Sequence, residues 1–332
     1  MSFFLYAETA FHHEGDYAYL KSLVDIVAKT GCDGVKFQIL IDLDDLMSSR
    51  HPSYQNAKNW VLSERQWIDI LEYVHSRHLR IVAMPCDVAA VTLIEKLPFS
   101  IDFYDIHSVS FHDNNLFQAI KATGKPVILG VGGRTLEEII SSKEYFKEQL
   151  HILMVGFQAY PSDLKDVKLQ KIAILKQLFP ECLIGYADHT SYDSEYSVKS
   201  LEYAYILGAR VFEKHITCAE GVMRVDHETA VGCEKMESIQ KNLKYIDELF
   251  EGLPHEHISL SDKELLYRNR QKILVASKTI KAGETFTGDN ISLKMTDVHD
   301  GYTNPNDIMG KVAKHDILFD ESITREKILS ND

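Results

Sequence analysis

Charged, amide, hydroxyl and imidazole side chains stand at the ends of short apolar segments along this 332-residue chain. In chain order they are Glu8, Lys36, Gln38, Ser108, Gln158, Tyr160, Asp188, His189, Glu213 and His215. Two imidazoles and a carboxylate that converge make a ligand set suited to a divalent metal ion. If the last two segments are neighbouring strands, His189 and His215 can meet, and closure of a barrel brings Glu8 beside them.

Strand alternation indicates which of these side chains share a face. Residues two apart on a strand point the same way, so Lys36 pairs with Gln38 and Glu213 with His215. A lysine or glutamate that points inward is a buried charge, which needs a partner or a ligand. The pattern leaves open a salt bridge or ligand binding for Lys36, an internal ion pair for Glu8, and a hydrogen-bonded core position for each histidine.

The elements that must position these groups are eight apolar segments with amphipathic stretches between them. The predicted strands are residues 3–8, 34–40, 79–85, 102–108, 126–132, 151–157, 182–188 and 210–216. Repeated strand–helix alternation of this length is typical of a (β/α)8 TIM barrel, whose active site lies at the carboxyl ends of the strands. A doubly wound sheet is the rival fold, but no GxGxxG follows the first strand.

The pattern changes after the eighth segment. We predict a barrel domain over residues 1–253, a polar linker over 254–269, and a small, mostly β domain over 270–332. Residues 41–63 form an extended stretch after the second strand, which we expect to overhang the site and help to select the substrate. Six further histidines are expected in surface or loop positions, namely His12, His75, His78, His112, His255 and His257.

Composition excludes several classes of partner. A formal charge of −13 argues against nucleic acid and anionic membranes, which attract clustered lysine and arginine. No apolar run is long enough for a membrane span. The five cysteines are odd in number and lack CxxC spacing, which favours reduced thiols and a cytoplasmic location.

Several motifs, taken in order, resemble the sialic acid synthase family: AETAFHHEGD, GCDGVKFQIL, QAYPSDLKDVKL, IGYADHT and GARVFEKHIT. The tail, with LVASKTIKAGETFTGDNISLK, resembles that family's antifreeze-like (SAF) domain. The resemblance implies condensation of phosphoenolpyruvate with an N-acylated amino-hexose to give a nonulosonic acid, assisted by a divalent metal, Mn²⁺ or else Mg²⁺ or Co²⁺. It also implies a homodimer in which each SAF domain reaches the partner's barrel.

The resemblance also implies roles for single residues. His189 and His215 match metal ligands, and Glu8, Lys36 and Asp188 are assigned to catalysis, with Glu8 at the metal site. Substrate-binding roles are expected for Gln38, Ser108, Gln158, Tyr160 and Asp226.

Departures from the family gather at the positions that hold the donor's phosphate. Asp105 stands at a lysine position, Met84 at a threonine, and Gly130 and Ala187 at serines. In the SAF domain, Met295 stands at the position of an arginine that reaches the sugar in the family. At about 4–5 Å and an effective dielectric near 20, each unit-charge interaction is worth several kcal/mol, so the change to aspartate disfavours the same binding mode.

Asp105 could instead face elsewhere or pair with Arg134, which would rebuild an anion site. Three functions therefore stay open. The first is the family condensation, and the second is aldolase- or lyase-type chemistry with another donor. The third is a non-catalytic binding subunit.

Overall fold

The computed structural model of the chain describes residues 3–156, 159–250 and 260–329. The chain divides into two compact units, Met1–Glu251 and Gly252–Asp332. None of the helices in the described ranges combines the length and apolar character needed to cross a bilayer.

The first unit is the predicted (β/α)8 barrel. Its parallel strands pair in chain order, and β1 pairs with β8 to close the sheet. The strands are β1 (Phe4–Glu8), β2 (Gly34–Ile39), β3 (Arg80–Pro85), β4 (Phe103–Ile106), β5 (Val127–Gly130), β6 (Leu150–Val155), β7 (Leu183–Asp188) and β8 (Val211–His215). Each strand starts within one residue and ends within two residues of its prediction.

Helices surround the strands, and local capping explains where several begin. Ser63 with Gln66, and Thr135 with Glu138, form capping boxes in which side chain and backbone satisfy each other's first-turn donors. The helices of this unit are α1 (Tyr17–Thr30), α2 (Leu43–Leu46), α3 (Tyr54–Lys58), α4 (Glu64–Ser76), α5 (Val88–Ile94), α6 (Asn114–Thr123), α7 (Leu136–Phe146), α8 (Leu164–Val167), α9 (Gln170–Leu178), α10 (Tyr196–Ile206) and α11 (Cys233–Phe250), with 3₁₀ turns at Ser108–Ser110 and Lys147–Gln149.

Alternation along the strands separates two apolar cores. Side chains that face outward from the sheet pack against the helices, whereas those that face inward fill the barrel. The inward set forms an apolar layer of Phe4, Tyr6, Val82, Ile128, Ile152, Met154, Ala187 and Val211. Glu8 follows Tyr6 on the same face, so polar side chains begin where this layer ends.

The stretch over residues 41–63 is more ordered than a loop. It contains α2 and α3 and buries Leu43 and Ala57 in a small apolar cluster. Trp60 stacks on Phe11 at 5.5 Å between ring centroids. This insert therefore packs on the segment after β1, and its predicted part in substrate selection remains a prediction.

The second unit has its own core and a small antiparallel sheet. It contains α12 (Asp262–Arg268), β9 (Ile273–Ala276) and β10 (Ile291–Lys294), with 3₁₀ turns at Pro305–Asp307 and Arg325–Lys327. Phe286 and Ile317 are among the side chains fully buried there. In the predicted linker, residues 254–259 lie outside the described ranges, and most of the remainder is the helix α12.

Candidate active site

A pocket lies at the carboxyl ends of the barrel strands, where the predicted site residues collect. Those lining it are Glu8, Lys36, Gln38, Ser108, Tyr160, His189 and His215. Asp105, Glu213, Gly130 and Ala187 line it too. The convergence follows from topology, since parallel strands end at one rim of a closed barrel.

Two histidines and one carboxylate in this pocket form a candidate metal site. One ligand atom each from His189, Glu213 and His215 lies within 4.8 Å of the other two, and all three side chains are buried. The two imidazole rings are 5.2 Å apart between centroids. The carboxylate grouped with them is that of Glu213, whereas the sequence placed Glu8 there.

The protonation states of this cluster suit a divalent cation. Burial lowers the pKa of His215 well below its usual value, so its imidazole is neutral and can donate a lone pair. Burial opposes ionisation of Glu213, but Lys36, His189 and the hydrogen bonds to this carboxylate together outweigh it and lower the pKa of Glu213. Nitrogen and oxygen ligands of this kind are those that first-row divalent metals accept.

Lys36 is the centre of a buried ion cluster. Its Nζ lies 2.8 Å from Asp105 Oδ2, 2.9 Å from Glu213 Oε2 and 3.0 Å from Glu8 Oε2. Burial alone would lower the pKa of Lys36, but the three carboxylates raise it well above its usual value. Lys36 and Glu8 therefore form the ion pairs that the sequence left open for them. Any catalytic role of either residue belongs to a side chain held in this cluster.

The cluster holds more acidic than basic groups. Three carboxyl groups surround one ammonium, and ionisation of all three would leave two negative charges in excess inside the barrel. Accordingly, burial raises the pKa of Glu8 to about 8 and also raises that of Asp105. A divalent cation beside Glu213 would match this excess, which is a second reason that the residues suit a metal.

Neighbouring side chains orient the carboxylates. Glu8 Oε1 accepts hydrogen bonds from the Ala10 N–H at 2.9 Å and from Gln38 Nε2 at 3.1 Å. The Tyr6 hydroxyl donates to Glu213 Oε2 at 2.8 Å. Tyr6 is not among the site residues predicted from the sequence, although its place two residues before Glu8 on β1 was a usable signal.

Tyr160 and Asp226 flank the candidate metal site. The Tyr160 ring is 4.7 Å from the His189 ring and 5.7 Å from the His215 ring, between centroids. Asp226 Oδ2 lies 3.9 Å from His215 Nδ1, and burial raises the pKa of this carboxyl to about 6. Gln158, the other predicted residue of this region, lies outside the described residues.

Asp188 is the predicted catalytic residue that the structure turns away from the pocket. Its carboxylate pairs with Lys214 Nζ at 2.5 Å and accepts hydrogen bonds from Ser200 at 2.8 Å and Thr190 at 2.9 Å. Since Ala187 faces the pocket, the next residue on β7 must face the helices. Asp188 therefore joins the strands to their outer layer, and its predicted catalytic role stays a prediction.

The segment after β1 is also buried more deeply than expected. His12 lies in the predicted loop but is 1% exposed, with Nδ1 2.6 Å from the Val225 carbonyl and Nε2 2.9 Å from Thr217 Oγ1. Both ring nitrogens are therefore engaged by the segment between β8 and α11. The sequence offered only the HH pair as a signal.

The structure also places the positions that depart from the family. Asp105 contacts Lys36 rather than Arg134, whose guanidinium bonds the Ser108 carbonyl at 2.5 Å and contacts Glu138 Oε1 at 3.4 Å. Arg134 thus does not rebuild an anion site at Asp105. Met84 is buried, and Met295 is exposed in the second unit.

Comparison with known proteins agrees with this architecture. The family model for the NeuB family matches residues 23–252, and that for the SAF domain matches residues 271–329. The uncharacterised protein MJ1065 of Methanocaldococcus jannaschii is 29% identical over 88% of this chain and 84% of its own length. The N,N'-diacetyllegionaminic acid synthase of Campylobacter jejuni is 26% identical over 96% of this chain and 97% of its own.

A solved structure shares the fold. The spore coat polysaccharide biosynthesis protein E of Chromobacterium violaceum superposes with a TM-score of 0.84 at 21% identity, covering 99% of this chain and 100% of that one. The fold and the family that the motifs resemble are therefore confirmed. Since the matching family model spans most of the barrel, the chain belongs to the NeuB family and carries a SAF domain C-terminal to that barrel.

Proposed function

We propose that the chain joins an enolpyruvyl-type three-carbon donor to the aldehyde carbon of an open-chain N-acylated amino-hexose, giving a nonulosonic acid. The observation that carries the proposal is the buried His189, Glu213 and His215 cluster at the rim of a NeuB-family barrel. The printed name of the Campylobacter jejuni relative supports the product class.

The site residues have distinct parts in this proposal. A divalent ion held by His189, Glu213 and His215 would act as a Lewis acid toward the aldehyde oxygen, with Mn²⁺ the expected ion. Glu8, oriented by Gln38, exchanges a proton with water or a sugar hydroxyl. Tyr160 packs over the two imidazoles and limits the access of water to them.

Two further substrate contacts complete the proposal. Asp226, beside His215, accepts a hydrogen bond from a hydroxyl of the sugar. Gln38 on β2 and Ser108 in the turn after β4 contact the donor. We further propose the homodimer that the family resemblance implies, and a cytoplasmic location, which the free thiols of all five cysteines support.

A product assay tests the proposal. The full chain is incubated with Mn²⁺, a panel of N-acylated amino-hexoses, and either phosphoenolpyruvate or pyruvate, and sugar acids are detected by mass spectrometry. We expect a product lengthened by three carbons. His189→Ala and His215→Ala should each lower its rate about 100-fold or more, because each removes a ligand of the proposed ion.

A matched variant controls for the loss of a histidine. His151 is an exposed residue on β6, so His151→Ala should keep the wild-type rate. Absence of product across the panel with both donors would overturn the proposed function and favour the non-catalytic alternative.

The donor has two candidates. Phosphoenolpyruvate is the donor that the resemblance implies. The contact between Asp105 and Lys36 favours a donor without a phosphate group.

A further inference from the structure

The carboxylate of Asp105 lies 2.8 Å from Lys36 Nζ, and both residues line the pocket. We propose that the donor half of this pocket binds a three-carbon 2-oxo acid that lacks a phosphate, such as pyruvate, and that Asp105 excludes phosphorylated donors. The inference rests on the proposed function, since it names the donor class for that reaction.

The hydrogen-bonding capacity of Lys36 is limited. An ammonium group has three N–H donors and no acceptor. Three carboxylates lie within 3.0 Å of its nitrogen, those of Glu8, Asp105 and Glu213. The ammonium donates a hydrogen bond to Glu213 Oε2 and forms ion pairs with the carboxyl groups of Glu8 and Asp105, so a phosphate at this nitrogen would have to compete with all three.

Lysine and arginine are scarce among the described residues that line the pocket. Among the described residues that line the pocket, Lys36 is the only lysine or arginine. Arg134 follows the lining residue Gly130 closely in the chain, but its guanidinium contacts the Ser108 carbonyl and Glu138. Strong phosphate binding in proteins relies on charge-assisted hydrogen bonds from such cations.

Two positions that line the pocket carry small residues. Gly130 and Ala187 face the pocket at the ends of β5 and β7. Neither side chain can donate a hydrogen bond to a phosphate oxygen. The neighbouring Met154 side chain is apolar as well. This wall suits the methyl end of a short acid better than a phosphate group.

The pocket has a limited capacity for the negative charge that a donor brings. The ion cluster already sets three carboxyl groups against one ammonium, an excess of acidic groups that a divalent cation would balance. A 2-oxo acid then adds a single negative charge. Phosphoenolpyruvate adds its carboxylate and a largely dianionic phosphate, and the phosphate would lie close to Asp105 in a region of low dielectric.

The chemistry balances without phosphate. Pyruvate loses a proton from its methyl carbon, that carbon bonds to the aldehyde carbon of the sugar, and the aldehyde oxygen gains a proton. The product is a 4-hydroxy-2-oxo acid and nothing is released. Phosphoenolpyruvate would give the same class of product, but it consumes water and releases inorganic phosphate.

Direct binding tests the inference without the sugar. Pyruvate and phosphoenolpyruvate are titrated by calorimetry into the Mn²⁺-loaded full chain. We expect the wild type to bind pyruvate about tenfold or more tightly than phosphoenolpyruvate. Comparable or tighter binding of phosphoenolpyruvate, or no binding of pyruvate at millimolar concentration, would overturn the inference.

A variant assigns the selectivity to Asp105. Asp105→Asn keeps the size of the side chain and one oxygen for Lys36, but removes the charge. It should tighten phosphoenolpyruvate binding about tenfold or more while changing pyruvate binding much less. Glu144→Gln, at an exposed position on α7, makes the same change in net charge outside the pocket and should alter neither. Equal effects of the two variants would exclude a local role for Asp105.

The product assay separates this inference from the proposed function. Sugar acid formed from pyruvate without phosphate release supports both. Sugar acid formed from phosphoenolpyruvate alone, with phosphate release, overturns the inference and leaves the proposed function standing. If neither donor gives product, the proposed function fails, and the binding measurements still decide which donor the pocket prefers.

Discussion

At the scale of single residues, two buried lysines of this barrel have different surroundings. Lys36 faces the pocket and shares its charge among three carboxylates, whereas Lys214 faces outward and pairs with Asp188. The outward pair is complete, because Ser200 and Thr190 also donate to the Asp188 carboxylate. The inward cluster has more carboxyl groups than cations and is therefore the one suited to a further cation or a ligand.

The outward pair predicts a stability effect. Asp188→Asn leaves the Lys214 ammonium buried without an opposite charge, so it should lower the free energy of unfolding by about 3–5 kcal/mol, measured by urea denaturation. Glu195→Gln removes one partner of an exposed ion pair with Lys199 and should have little effect. A variant at Asp188 with wild-type stability but no activity would contradict this structural role and support the predicted catalytic one.

At the scale of elements, the segment after β1 links the barrel rim to its surroundings. His12 bonds the segment between β8 and α11. His13 lies edge-on to Trp67 of α4, and its Nδ1 accepts a hydrogen bond from the Gly15 N–H at 3.0 Å. The backbone is tight here, because a side chain on Gly15, whose φ is +85°, would meet the Asn59 carbonyl oxygen.

This segment predicts how stability depends on pH. Burial lowers the pKa of His13 from 6.5 to about 4. The unfolded chain therefore binds a proton below pH 6.5 that the folded chain binds only near pH 4. The contribution of neutral His13 is complete above pH 6.5 and is lost as pH falls towards 4, by about 3 kcal/mol in total.

The variant that removes this titration is His13→Asn, which keeps an acceptor for the Gly15 N–H. Its free energy of unfolding, measured in urea between pH 7 and pH 4, should fall about 3 kcal/mol less than that of the wild type. The other buried histidines titrate in both proteins and cancel in the difference. Parallel curves would show that the His13 imidazole is not held neutral by burial.

At the scale of the whole molecule, the chain is two units with separate apolar cores. Both tryptophans, Trp60 and Trp67, belong to the first unit. Tryptophan fluorescence therefore follows the unfolding of the barrel alone. This allows metal binding at the candidate site to be measured as a change in stability, without any substrate.

We predict that Mn²⁺ at 100 times its dissociation constant stabilises the barrel by about 2.7 kcal/mol. For a unit of this size the thermal midpoint should rise by about 5–10 °C, followed by tryptophan fluorescence. The double variant His189→Ala, His215→Ala should lose this rise. The same rise in the double variant would place the ion elsewhere.

The barrel could be predicted from sequence alone, because strand and helix periods are local and recur eight times. The same periods predict which side chains share a face: Lys36 with Gln38, and Glu213 with His215. Which side chains meet depends on the tertiary structure. It groups Glu213 rather than Glu8 with the histidines, places Asp105 on Lys36, and turns Asp188 outward. These contacts join strands far apart in the chain, and their distances depend on the relative stagger of the strands around the barrel and on side-chain packing, which no local period specifies.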